Sequence, residues 1–530
     1  MAIDPDSVAL SLENRQLSYR DLDEWSNRVA RELCGRGVGP VLRGTGNASL
    51  DRIGGGDLVG DQSRSGFVPV DPAYPRERVE YMLADCRASL GLTVQTSRTH
   101  LPDVVPWLEL DDPHFARRVA ALSPEPITDD DRTGELNLDH PAYLIYTSGS
   151  TGKPKGVNIT HRGLASFTAE TRERFEVTHD SHVSQLASPS FDASIFELTM
   201  AFSASAQVVI VPPAVYGGAE LADVFRREQV THATITPTAL AALGDNGFEA
   251  LRVLDLVGEA CPPEIVAQWA PGRRLHNGYG PTETTVQASV SDSMKPGAGV
   301  NIGSPAVGFG FLVLDERLQP VPVGVPGELY IIGPGMARGY HNRASLTSER
   351  FVACSYGSPG RRMYRTGDVV RWRESGGDSA KIVGSGDGVH HTLEYIGRSD
   401  FQVKVRGFRI ELGEIDAVLS RHPSVDFAAT VGHTGPSGET VLVSYVRASA
   451  ADATGTDEIR AYAADRLPSH MVPSAVVLLE RIPMTPVGKL DRRPYRNPNS
   501  VRLQPSSASR SPTPSAPWST RSSRFWVSTG

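Results

Sequence analysis

The segment AYLIYTSGSTGKPKG, residues 142–156, joins a short apolar run to a loop dense in glycine, hydroxyl and lysine residues. The apolar part, Ala142–Tyr146, has the length and composition of a strand that is buried on both faces. The ten residues after it contain three glycines, four hydroxyl side chains and two lysines. So many donors directly behind a buried strand favour an anion-binding loop over a flexible turn.

The loop has the parts needed to hold phosphate. Glycines allow backbone N–H groups to turn towards an anion, hydroxyls add donors, and lysines neutralise charge. The Walker pattern for nucleotide binding is not met, because Pro154 follows Lys153 where a magnesium-binding hydroxyl belongs. We therefore predict a phosphate loop of a different type.

Apolar runs alternate with helical patterns along the chain. An N-terminal helix is predicted from a capping box at Ser18 and Asp21, followed by apolar side chains at helical spacing. Later strands are predicted at Val208–Val211, Ala233–Thr236 and Leu251–Val257, and helices at Gly218–Glu228 and Pro263–Trp269. Strands that alternate with helices predict an α/β fold with mostly parallel sheets.

The composition excludes several classes of protein. The chain of 530 residues has 53 basic and 61 acidic side chains, a net charge of −8 and no long basic run, which argues against binding to nucleic acid or an anionic membrane. No segment approaches the ~18 apolar residues of a membrane helix, and the N-terminus has no signal pattern. The four scattered cysteines argue against a disulfide framework or a zinc site. We expect a soluble, cytoplasmic monomer.

The loop TSGSTGKPKG resembles the phosphate loop of adenylate-forming enzymes, which include acyl-CoA ligases, luciferases and the adenylation domains of nonribosomal peptide synthetases. Nine further segments resemble motifs of the peptide-synthetase branch and follow in its order. They are LSYRDL (17–22), FVPVDPAYP (67–75), FDASIFEL (191–198), NGYGPTE (277–283), GELYIIGPGMARGY (327–340), YRTGDVVR (364–371), GRSDFQVKVRGFRIELGEID (397–416), LPSHMVP (467–473) and PMTPVGKLDRR (483–493).

The resemblance implies an α/β protein in two parts. A large N-terminal domain, residues 1–397, would hold β-α-β-α sheets with helices and a small distorted barrel. A hinge at 398–402 would lead to a small, mobile α+β C-terminal domain at 403–495. Residues 496–530 are rich in Ser, Pro and Arg and are predicted to be a disordered or out-of-frame tail.

The chemistry implied by the resemblance is activation of a carboxylic acid. An oxygen of the acid attacks the α-phosphorus of ATP while pyrophosphate leaves, which is chiefly a matter of positioning and charge neutralisation. The resemblance makes Lys489, Glu283 and Thr147 the catalytic residues. Glu283 would be the magnesium ligand, because a hard carboxylate suits that ion. Lys489 would bridge the substrate carboxylate and an ATP phosphate.

The nucleotide site is also assigned by resemblance. Tyr279 would stack on adenine, Asp368 would accept both ribose hydroxyls, and Arg398 would contact the ribose. Asp400 would be the hinge about which the C-terminal domain swings, bringing Lys489 in for adenylation and its opposite face in for thiol transfer. The full ATP-binding set is Thr147, Ser148, Gly149, Ser150, Thr151, Gly152, Lys153, Gly258, Asn277, Tyr279, Gly280, Thr282, Asp368 and Arg398.

Asp192 indicates the kind of acid. In members that activate amino acids, an aspartate at this place pairs with the α-ammonium of the substrate, since a buried ammonium needs such a partner. The matching pocket positions are Asp192, Ala193, Phe196, Thr234, Asp255, Val257, Gly278, Val286, Gln287 and Lys489. An all-apolar substrate would leave the polar members unpaired, at about 1–3 kcal/mol each. We predict a small or medium polar side chain, which could be cysteine-like, although Asp255 could instead pair with a basic one.

The expected function is ATP- and Mg²⁺-dependent formation of an aminoacyl-AMP, followed by transfer to a phosphopantetheine thiol. No carrier motif follows Lys489, and the GGDS at 376–379 lies in a polar insertion, so we interpret Ser379 as a coincidence. We likewise expect no condensation domain before this chain, and a separate peptidyl carrier protein to bear the phosphopantetheine. The alternatives are an acyl-CoA ligase acting on a small carboxylic acid and a non-catalytic adenylation-domain remnant.

Two internal segments depart from the family pattern. Residues 41–66 are polar and Gly-rich where the family has an apolar strand and an apolar helix, as though the reading frame had shifted and then been restored. Losing a buried helix would cost several kcal/mol of a total stability of about 5–15 kcal/mol. Residues 375–391 are predicted to be an exposed polar loop.

Overall fold

The computed structural model describes residues 4–38, 57–61, 66–131, 137–149, 152–215, 217–244, 247–374, 391–400, 402–434, 440–448, 455–479 and 482. The strands, numbered in chain order, are β1 Val8–Leu12, β2 Arg15–Ser18, β3 Asp57–Asp61, β4 Phe67–Val70, β5 Ala88–Thr93, β6 Trp107–Glu109, β7 Pro141–Thr147, β8 Lys155–Thr160, β9 His182–Gln185, β10 Gln207–Ile210, β11 His232–Ile235, β12 Val253–Leu256, β13 Arg274–Tyr279, β14 Ser289–Val290, β15 Ser304–Pro305, β16 Gly310–Leu314, β17 Gly327–Ile332, β18 Gly339–Tyr340, β19 Phe351–Ala353, β20 Arg362–Glu374, β21 His391–Arg398, β22 Val403–Val405, β23 Phe408–Ile410, β24 Val425–Thr434, β25 Thr440–Ala448 and β26 Ala475–Leu478.

The helices lie between these strands in the alternation that the sequence predicts. They are α1 Tyr19–Gly35, α2 Arg76–Asp85, α3 Gln95–Arg98, α4 Pro113–Ala120, α5 Leu164–Arg174, α6 Ala193–Phe202, α7 Gly218–Arg227, α8 Pro237–Ala241, α9 Pro263–Trp269, α10 Ala344–Arg350, α11 Leu412–Leu419 and α12 Thr456–Ala464. Short 3₁₀ turns lie at Asp129–Asp131, His161–Gly163, Thr282–Thr284 and Ser469–Met471.

The predicted elements are found with boundaries shifted by one or two residues. Ser18 caps α1, since its hydroxyl accepts the Asp21 N–H at 3.1 Å and the Asp21 carboxylate accepts the Ser18 N–H at 3.3 Å. The predicted strands correspond to β7, β10, β11 and β12, and the predicted helices to α7 and α9. Strand β3 lies inside the Gly-rich segment 41–66, where we expected the family's strand to be missing, and pairs with β4 and β5. The rest of that segment, apart from Gly66, lies outside the described residues, as do 375–390 and 496–530.

A nine-stranded sheet has the order β15-β14-β13-β12-β11-β9-β10-β1-β2. Its six central strands, from β13 to β1, run parallel, and the strands at each edge are antiparallel. Val209 of β10 packs in one hydrophobic cluster with residues of α7 and α9, whereas its neighbour Val208 packs in another with residues of α5 and α6. Alternate side chains of a strand point to opposite faces, so helices cover both faces of this sheet. Burial on both faces explains the continuous apolar runs in the sequence.

The expectation of mostly parallel sheets holds for this sheet only. A seven-stranded sheet, β18-β8-β7-β4-β3-β5-β6, is mixed, and β7 is antiparallel to β8. The phosphate loop joins β7 to β8, and so short a connection cannot make the crossover that parallel neighbours need. A third sheet of five strands, β16-β17-β20-β19 with β21 beside β20, is antiparallel throughout and stands where the small barrel was expected.

Of the small C-terminal domain predicted at 403–495, the structure describes residues 403–434, 440–448, 455–479 and 482. Strands β22 and β23 form a two-stranded hairpin, and β24, β25 and β26 form a sheet against which α11 and α12 pack. Its own core includes Ile410, Ile415, Leu419, Val446 and Ile459, all fully buried. Within the described residues, no helix is both long enough and apolar enough to cross a membrane.

Candidate active site

The described residues of the phosphate loop differ in their partners. Thr147, the last residue of β7, has a buried hydroxyl without a hydrogen-bond partner among the described residues. The Ser148 hydroxyl donates to the carbonyl of Arg409 at 2.9 Å and accepts the N–H of Glu411 at 2.9 Å. Ser148 is thus held by the C-terminal domain, whereas the Thr147 hydroxyl has no such partner, and its contact with ATP stays a prediction.

Two glycines keep the loop tight. A Cβ on Gly149 would lie 2.0 Å from the carbonyl oxygen of Lys153, so only glycine fits there. Gly152 has φ of +77°, the left-handed region that glycine adopts without strain. Ser150 and Thr151, which we also predicted to bind ATP, lie outside the described residues.

The two lysines of the loop have different environments. Lys153, which we predicted to bind ATP, is exposed and lies 5.5 Å from the centre of the Tyr81 ring. Lys155 is buried and lies 4.7 Å from the centre of the Tyr340 ring. Burial lowers the pKa of Lys155, and the nearby Glu283 carboxylate opposes that shift. The lysine that the site encloses is therefore Lys155.

Glu283 is the centre of a buried cluster of charges and is 1% exposed. Its carboxylate accepts the Tyr340 hydroxyl at 2.7 Å and lies 3.2 Å from the Arg409 guanidinium and 3.7 Å from the Lys155 ammonium. Burial by itself raises the pKa of Glu283, but Arg409 and Lys155 outweigh it and lower the pKa to about 2. A carboxylate with such partners stays ionised at any physiological pH.

The residues predicted to bind adenosine form one connected chain. Tyr279 donates to one oxygen of Asp368 at 2.5 Å, and Arg398 donates to the other at 2.6 Å. Arg398 also donates two hydrogen bonds of 2.7 Å each to Asp400. The structure thus joins Tyr279, Asp368, Arg398 and the predicted hinge residue Asp400. Both Asp368 oxygens have protein donors here, and their pairing with ribose hydroxyls stays a prediction.

The hairpin of β22 and β23 covers this chain from the C-terminal domain. Lys404 lies 5.8 Å from the centre of the Tyr279 ring and 5.9 Å from that of Tyr395, and burial lowers the pKa of Lys404. At the tip of the hairpin, a Cβ on Gly258 would lie 2.9 Å from the Cα of Gly407, so the two backbones are nearly in contact. Gly258, which we predicted to bind ATP, therefore faces the hairpin.

The remaining predicted ATP-binding residues shape the turn after β13. Asn277 donates from its side chain to the carbonyl of Asn301 at 2.8 Å. A Cβ on Gly280 would lie 2.2 Å from the carbonyl oxygen of Val286, which excludes any other residue there. Thr282 begins the 3₁₀ turn that carries Glu283. These residues fix the backbone between Tyr279 and Glu283.

The predicted substrate pocket begins at α6. Asp192 is the residue before this helix, and its carboxylate makes no capping hydrogen bond. Burial raises the pKa of Asp192 to about 6, although the Thr282 hydroxyl opposes the rise. Ala193 is half-buried, but Phe196 is 1% exposed and packs in the core against Phe175, with ring centres 5.5 Å apart. Phe196 is thus buried in the core, and its contact with the substrate stays a prediction.

A second group of pocket residues lies where β11, β12 and β13 are neighbours. Thr234 and Asp255 are directly opposite each other on β11 and β12. One oxygen of Asp255 accepts the Gln287 side-chain amide at 3.0 Å, while its other oxygen and the Thr234 hydroxyl have no partner among the described residues. Burial raises the pKa of Asp255 to about 7. A Cβ on Gly278 would lie 1.7 Å from the Gln287 side-chain nitrogen, so the Gln287 side chain fills the space beside this glycine.

The last two predicted pocket residues are Val257 and Val286. Val257 follows β12 and is half-buried. Val286 has φ of 70° and follows Thr285 at 49°, and β-branched residues are strained in this region. This strained pair directs Gln287 back towards Asp255.

Lys489 lies outside the described residues, so its predicted role stays a prediction. Sequence reasoning missed Lys155, Lys404 and Arg409 as site residues. The available signal was a set of basic side chains at 404, 406 and 409 in an otherwise apolar hairpin, inside a motif that we had already matched. In all, the structure brings Thr147, Glu283 and the Tyr279–Asp368–Arg398 chain around one face, beneath the hairpin.

Comparisons with known proteins agree with this arrangement. A family model described as AMP-binding enzyme matches residues 66–341, and one described as AMP-binding enzyme C-terminal domain matches residues 414–489. Novobiocin biosynthesis protein H of Streptomyces niveus is 39% identical, over 93% of this chain and 80% of that protein. A dimodular nonribosomal peptide synthase of Bacillus subtilis is 39% identical over 93% of this chain, which spans 20% of that relative.

Solved structures with the same fold include assemblies of several domains. An artificially fused adenylation–PCP di-domain from Klebsiella oxytoca matches with a TM-score of 0.72 and 23% identity, over 89% of this chain and 83% of that one. A four-domain nonribosomal peptide synthetase bound to AMP and glycine matches with a TM-score of 0.60 and 29% identity, over 93% of this chain and 35% of that one.

The fold and the site define an adenylate-forming enzyme, and the chain belongs to the AMP-binding enzyme family. Within that family it is an adenylation domain of the nonribosomal peptide synthetase type.

Proposed function

We propose that the chain activates an α-amino acid with ATP and then transfers the aminoacyl group to the phosphopantetheine thiol of a carrier protein. In the first step, a carboxylate oxygen of the amino acid bonds to the α-phosphorus, and the bond from that phosphorus to pyrophosphate breaks. In the second, the thiolate sulfur bonds to the carbonyl carbon, and AMP leaves. Both steps depend on charges held in position.

The observation that carries the choice of substrate is the environment of Asp192. Among the described residues Asp192 forms no ion pair, and the charge that acts most strongly on its carboxylate is the anionic Glu283. An ionised, poorly solvated carboxylate needs a cation, and the α-ammonium of an amino acid supplies one. A plain carboxylic acid would leave Asp192 unpaired.

Glu283 suits a magnesium ion. Its carboxylate is ionised, and Mg²⁺ is commonly bound by one or two carboxylates together with substrate phosphates. Within the described residues, no group of three or more His, Cys, Asp or Glu side chains could hold a metal by itself, which supports binding between Glu283 and phosphate oxygens. When bound, the ion would neutralise phosphate charge.

The chain's own residues would supply the remaining positive charge and donors. Lys155 and Arg409 lie beside Glu283, and the unpartnered hydroxyl of Thr147 faces no protein acceptor among the described residues. We propose that these groups orient the phosphates, and that Lys489 bridges the amino acid carboxylate and the phosphate during the first step.

For the side chain of the amino acid, we propose a small or medium polar group. The free oxygen of Asp255 and the hydroxyl of Thr234 both need partners that leucine or phenylalanine cannot give. A cysteine-like side chain and a basic one both meet this need. We place the reaction in the cytoplasm and expect a monomer, in keeping with four cysteines that lack disulfide spacing.

The test is ATP–pyrophosphate exchange measured across the amino acids. We expect exchange that depends on one or a few polar amino acids and that Lys489→Ala abolishes, with an unchanged melting curve by circular dichroism. Strongest exchange with leucine or phenylalanine would contradict the polar pocket, and unaltered exchange in Lys489→Ala would remove its proposed role.

The same preparation separates the alternatives. An acyl-CoA ligase would release a CoA thioester and would be indifferent to Asp192→Ala. A non-catalytic remnant would melt without a cooperative transition or would fold and show no exchange with any amino acid.

A further inference from the structure

Three polar side chains form a row across adjacent strands of the nine-stranded sheet. Thr234 of β11 is directly opposite Asp255 of β12, and Asp255 is directly opposite His276 of β13. Neighbouring strands lie about 4.8 Å apart and residues in register share a face, so the three side chains are neighbours. All three residues are buried, with at most 5% of each exposed.

His276 lies on the pocket side of the sheet, although we predicted no pocket residue there. Gly278, a predicted pocket residue, follows two positions later on β13, and alternate residues of a strand point to the same face. The centre of the His276 ring lies 5.2 Å from that of Phe175, which in turn lies 5.5 Å from that of Phe196, another predicted pocket residue. His276 therefore extends the row of predicted pocket residues.

One ring nitrogen of His276 has a partner and the other does not. Nδ1 donates to the carbonyl of Ser291 at 2.9 Å, since a carbonyl oxygen can only accept. Burial lowers the pKa of His276 and keeps the ring neutral, so Nε2 carries a lone pair and no proton. Nε2 is buried and has no hydrogen-bond partner among the described residues. His276 is thus an acceptor that lacks a donor.

The other two members of the row are also incompletely paired. Asp255 accepts the Gln287 amide on one oxygen, but its other oxygen and the Thr234 hydroxyl have no hydrogen-bond partner in the described ranges. The free oxygen of Asp255 and the Nε2 of His276 therefore make no hydrogen bond with each other. Asp255 also forms no ion pair within the described part of the chain, so its ionised carboxylate lacks a cation.

His232 shows that buried histidines of this face can be fully paired. It lies two positions before Thr234 on β11 and is 2% exposed. Its Nδ1 lies 2.7 Å from the Thr231 hydroxyl, and its Nε2 lies 3.0 Å from the carbonyl oxygen of Phe175. The missing partner at His276 is therefore a feature of the row and not of the sheet as a whole.

The row needs a ligand with several hydrogen-bond donors. The ionised Asp255 carboxylate and the Nε2 of His276 can only accept, and the Thr234 hydroxyl can accept as well. A hydroxyl or a thiol has one hydrogen to donate and no charge, whereas an ammonium has three and a guanidinium has five. A cation would also favour the ionised form of Asp255.

We propose that the row of Thr234, Asp255 and His276 binds the protonated amine or guanidinium of a basic amino acid side chain, and that His276 is a specificity-determining residue through its Nε2. This inference rests on the proposed function, whose substrate it narrows from a polar side chain to a basic one. A cysteine-like side chain would leave at least one acceptor unpaired and the carboxylate without a cation.

Amino acids that differ only in the terminal group of the side chain test the proposal. The sets of ammonium, hydroxyl and methyl compounds are diaminobutyrate, homoserine and norvaline; ornithine, 5-hydroxynorvaline and norleucine; and lysine, 6-hydroxynorleucine and 2-aminoheptanoate. Arginine is compared with the uncharged citrulline, and cysteine is added. We expect the best basic compound to exceed its uncharged hydroxyl or citrulline analogue by at least ~10-fold, and a methyl analogue by at least ~100-fold, in kcat/KM for ATP–pyrophosphate exchange. Fastest exchange with cysteine or any other uncharged compound would overturn the proposal.

Variants of His276 separate recognition from packing. His276→Asn keeps a donor for Ser291 near the position of Nδ1 but has no acceptor at Nε2, whereas His276→Gln can place its side-chain oxygen near Nε2. We expect His276→Asn to lower kcat/KM for the preferred basic amino acid by at least ~10-fold and for its uncharged analogue by less than ~3-fold, and His276→Gln to recover most of the loss. Equal losses for both substrates, or unchanged selectivity, would contradict the role of His276.

Two further variants complete the set. Asp255→Asn retains an acceptor but loses the charge, and should reduce the preference for the basic compound over its hydroxyl or citrulline analogue by at least ~10-fold. His232→Gln is the matched control, because it changes a buried histidine of the same face outside the row. It should lower stability in urea and leave the ratio between the basic and uncharged substrates at the wild-type value. An equal change of that ratio in His232→Gln and His276→Asn would contradict a specific role for the row.

Binding without turnover distinguishes failure of this inference from failure of the proposed function. Isothermal titration of the wild-type chain with the same compounds needs no ATP. Preferential binding of a basic compound without any exchange would contradict the proposed function and support this inference. Exchange with an uncharged amino acid in preference to the basic ones would do the reverse, and binding of none of the compounds would overturn the inference.

Discussion

Glu283 and Asp255 are carboxylates with the same burial, each 1% exposed, yet their surroundings differ completely. Glu283 meets Tyr340, Arg409 and Lys155, and its pKa falls to about 2. Asp255 has the Gln287 amide on one oxygen and no partner in the described residues on the other, and burial raises its pKa to about 7. Burial therefore does not decide the charge of a carboxylate; its partners do. Glu283 is kept ionised by its cationic neighbours, whereas one oxygen of Asp255 lacks a hydrogen-bond donor among the described residues.

The largest effect on activity is expected when the ionised carboxylate of Glu283 is replaced by a neutral amide. Glu283→Gln should lower ATP–pyrophosphate exchange by at least ~100-fold, because it removes the proposed ligand for magnesium, leaves Arg409 without its ion pair and leaves Lys155 with the more distant Glu411 alone. Exchange rates at saturating ATP and amino acid measure this loss. Glu264→Gln, an exposed side chain in the first turn of α9, is the control and should retain wild-type exchange. Near-normal exchange in Glu283→Gln would show that adenylate formation does not need the ionised Glu283 carboxylate.

Next in size is the pH dependence that Asp255 contributes to stability. Its pKa is raised in the folded protein, from 3.8 to about 7, so the folded state holds this proton more tightly than the unfolded state does. The stabilisation is complete below about pH 4 and is lost as pH rises to about 7, at about 1.4 kcal/mol for each pKa unit as an upper bound. Glu283 has the opposite sign, since its stabilisation is lost as pH falls from 4.5 towards 2.

Asp255→Asn isolates that contribution. The amide can still accept from Gln287 but carries no charge, so the variant should match the wild type in urea unfolding at about pH 3.5, below the unfolded pKa, and exceed it at pH 8. Parallel pH profiles of the two proteins would show that Asp255 has a partner in solution. Addition of the preferred amino acid should narrow the difference at pH 8, because a bound donor would satisfy the carboxylate.

The smallest effect is expected at Thr234, the uncharged residue opposite Asp255. Thr234→Val removes an unpartnered buried hydroxyl at nearly constant volume and should change the free energy of unfolding by less than ~1 kcal/mol, towards higher stability. Tyr340→Phe removes an equally buried hydroxyl that does have a partner, the ionised Glu283, and should cost ~1.5–3 kcal/mol. Urea denaturation of both variants at pH 7 measures the contrast. Equal losses would mean that the Thr234 hydroxyl is satisfied in solution.

The elements of the N-terminal domain that the sequence predicted are those whose signals are local. The capping box of Ser18 and Asp21 and the continuous apolar runs of β7 and β12 depend on neighbouring residues. The pairing of strands was harder to predict from the sequence. The antiparallel relation of β7 and β8 depends on the short loop between them, and the alternation of strands and helices had indicated parallel sheets. Strand β3 was missed because glycines and acidic residues hide its pattern.

Sequence motifs predicted the site residues that lie within them, but they did not predict contacts between segments that are far apart in the sequence. Tyr279, Asp368 and Arg398 come together as the matched motifs suggest. Arg409 reaches Glu283 across 126 residues of sequence, and nothing local to either indicates the pair. Phe196 packs against Phe175 in the core, and its predicted place in the pocket wall stays a prediction.

The glycine at 278 has a consequence for redesign of the pocket. A Cβ at position 278 would lie 1.7 Å from the Gln287 side chain, and Gln287 in turn donates to Asp255. The effects of substitutions at these three positions are therefore coupled. Exchanging one of them for the residue of another adenylation domain would produce a clash or an orphaned carboxylate, and the effects of separate changes would not add. Libraries that vary 255, 278 and 287 together would reach combinations that stepwise substitution cannot.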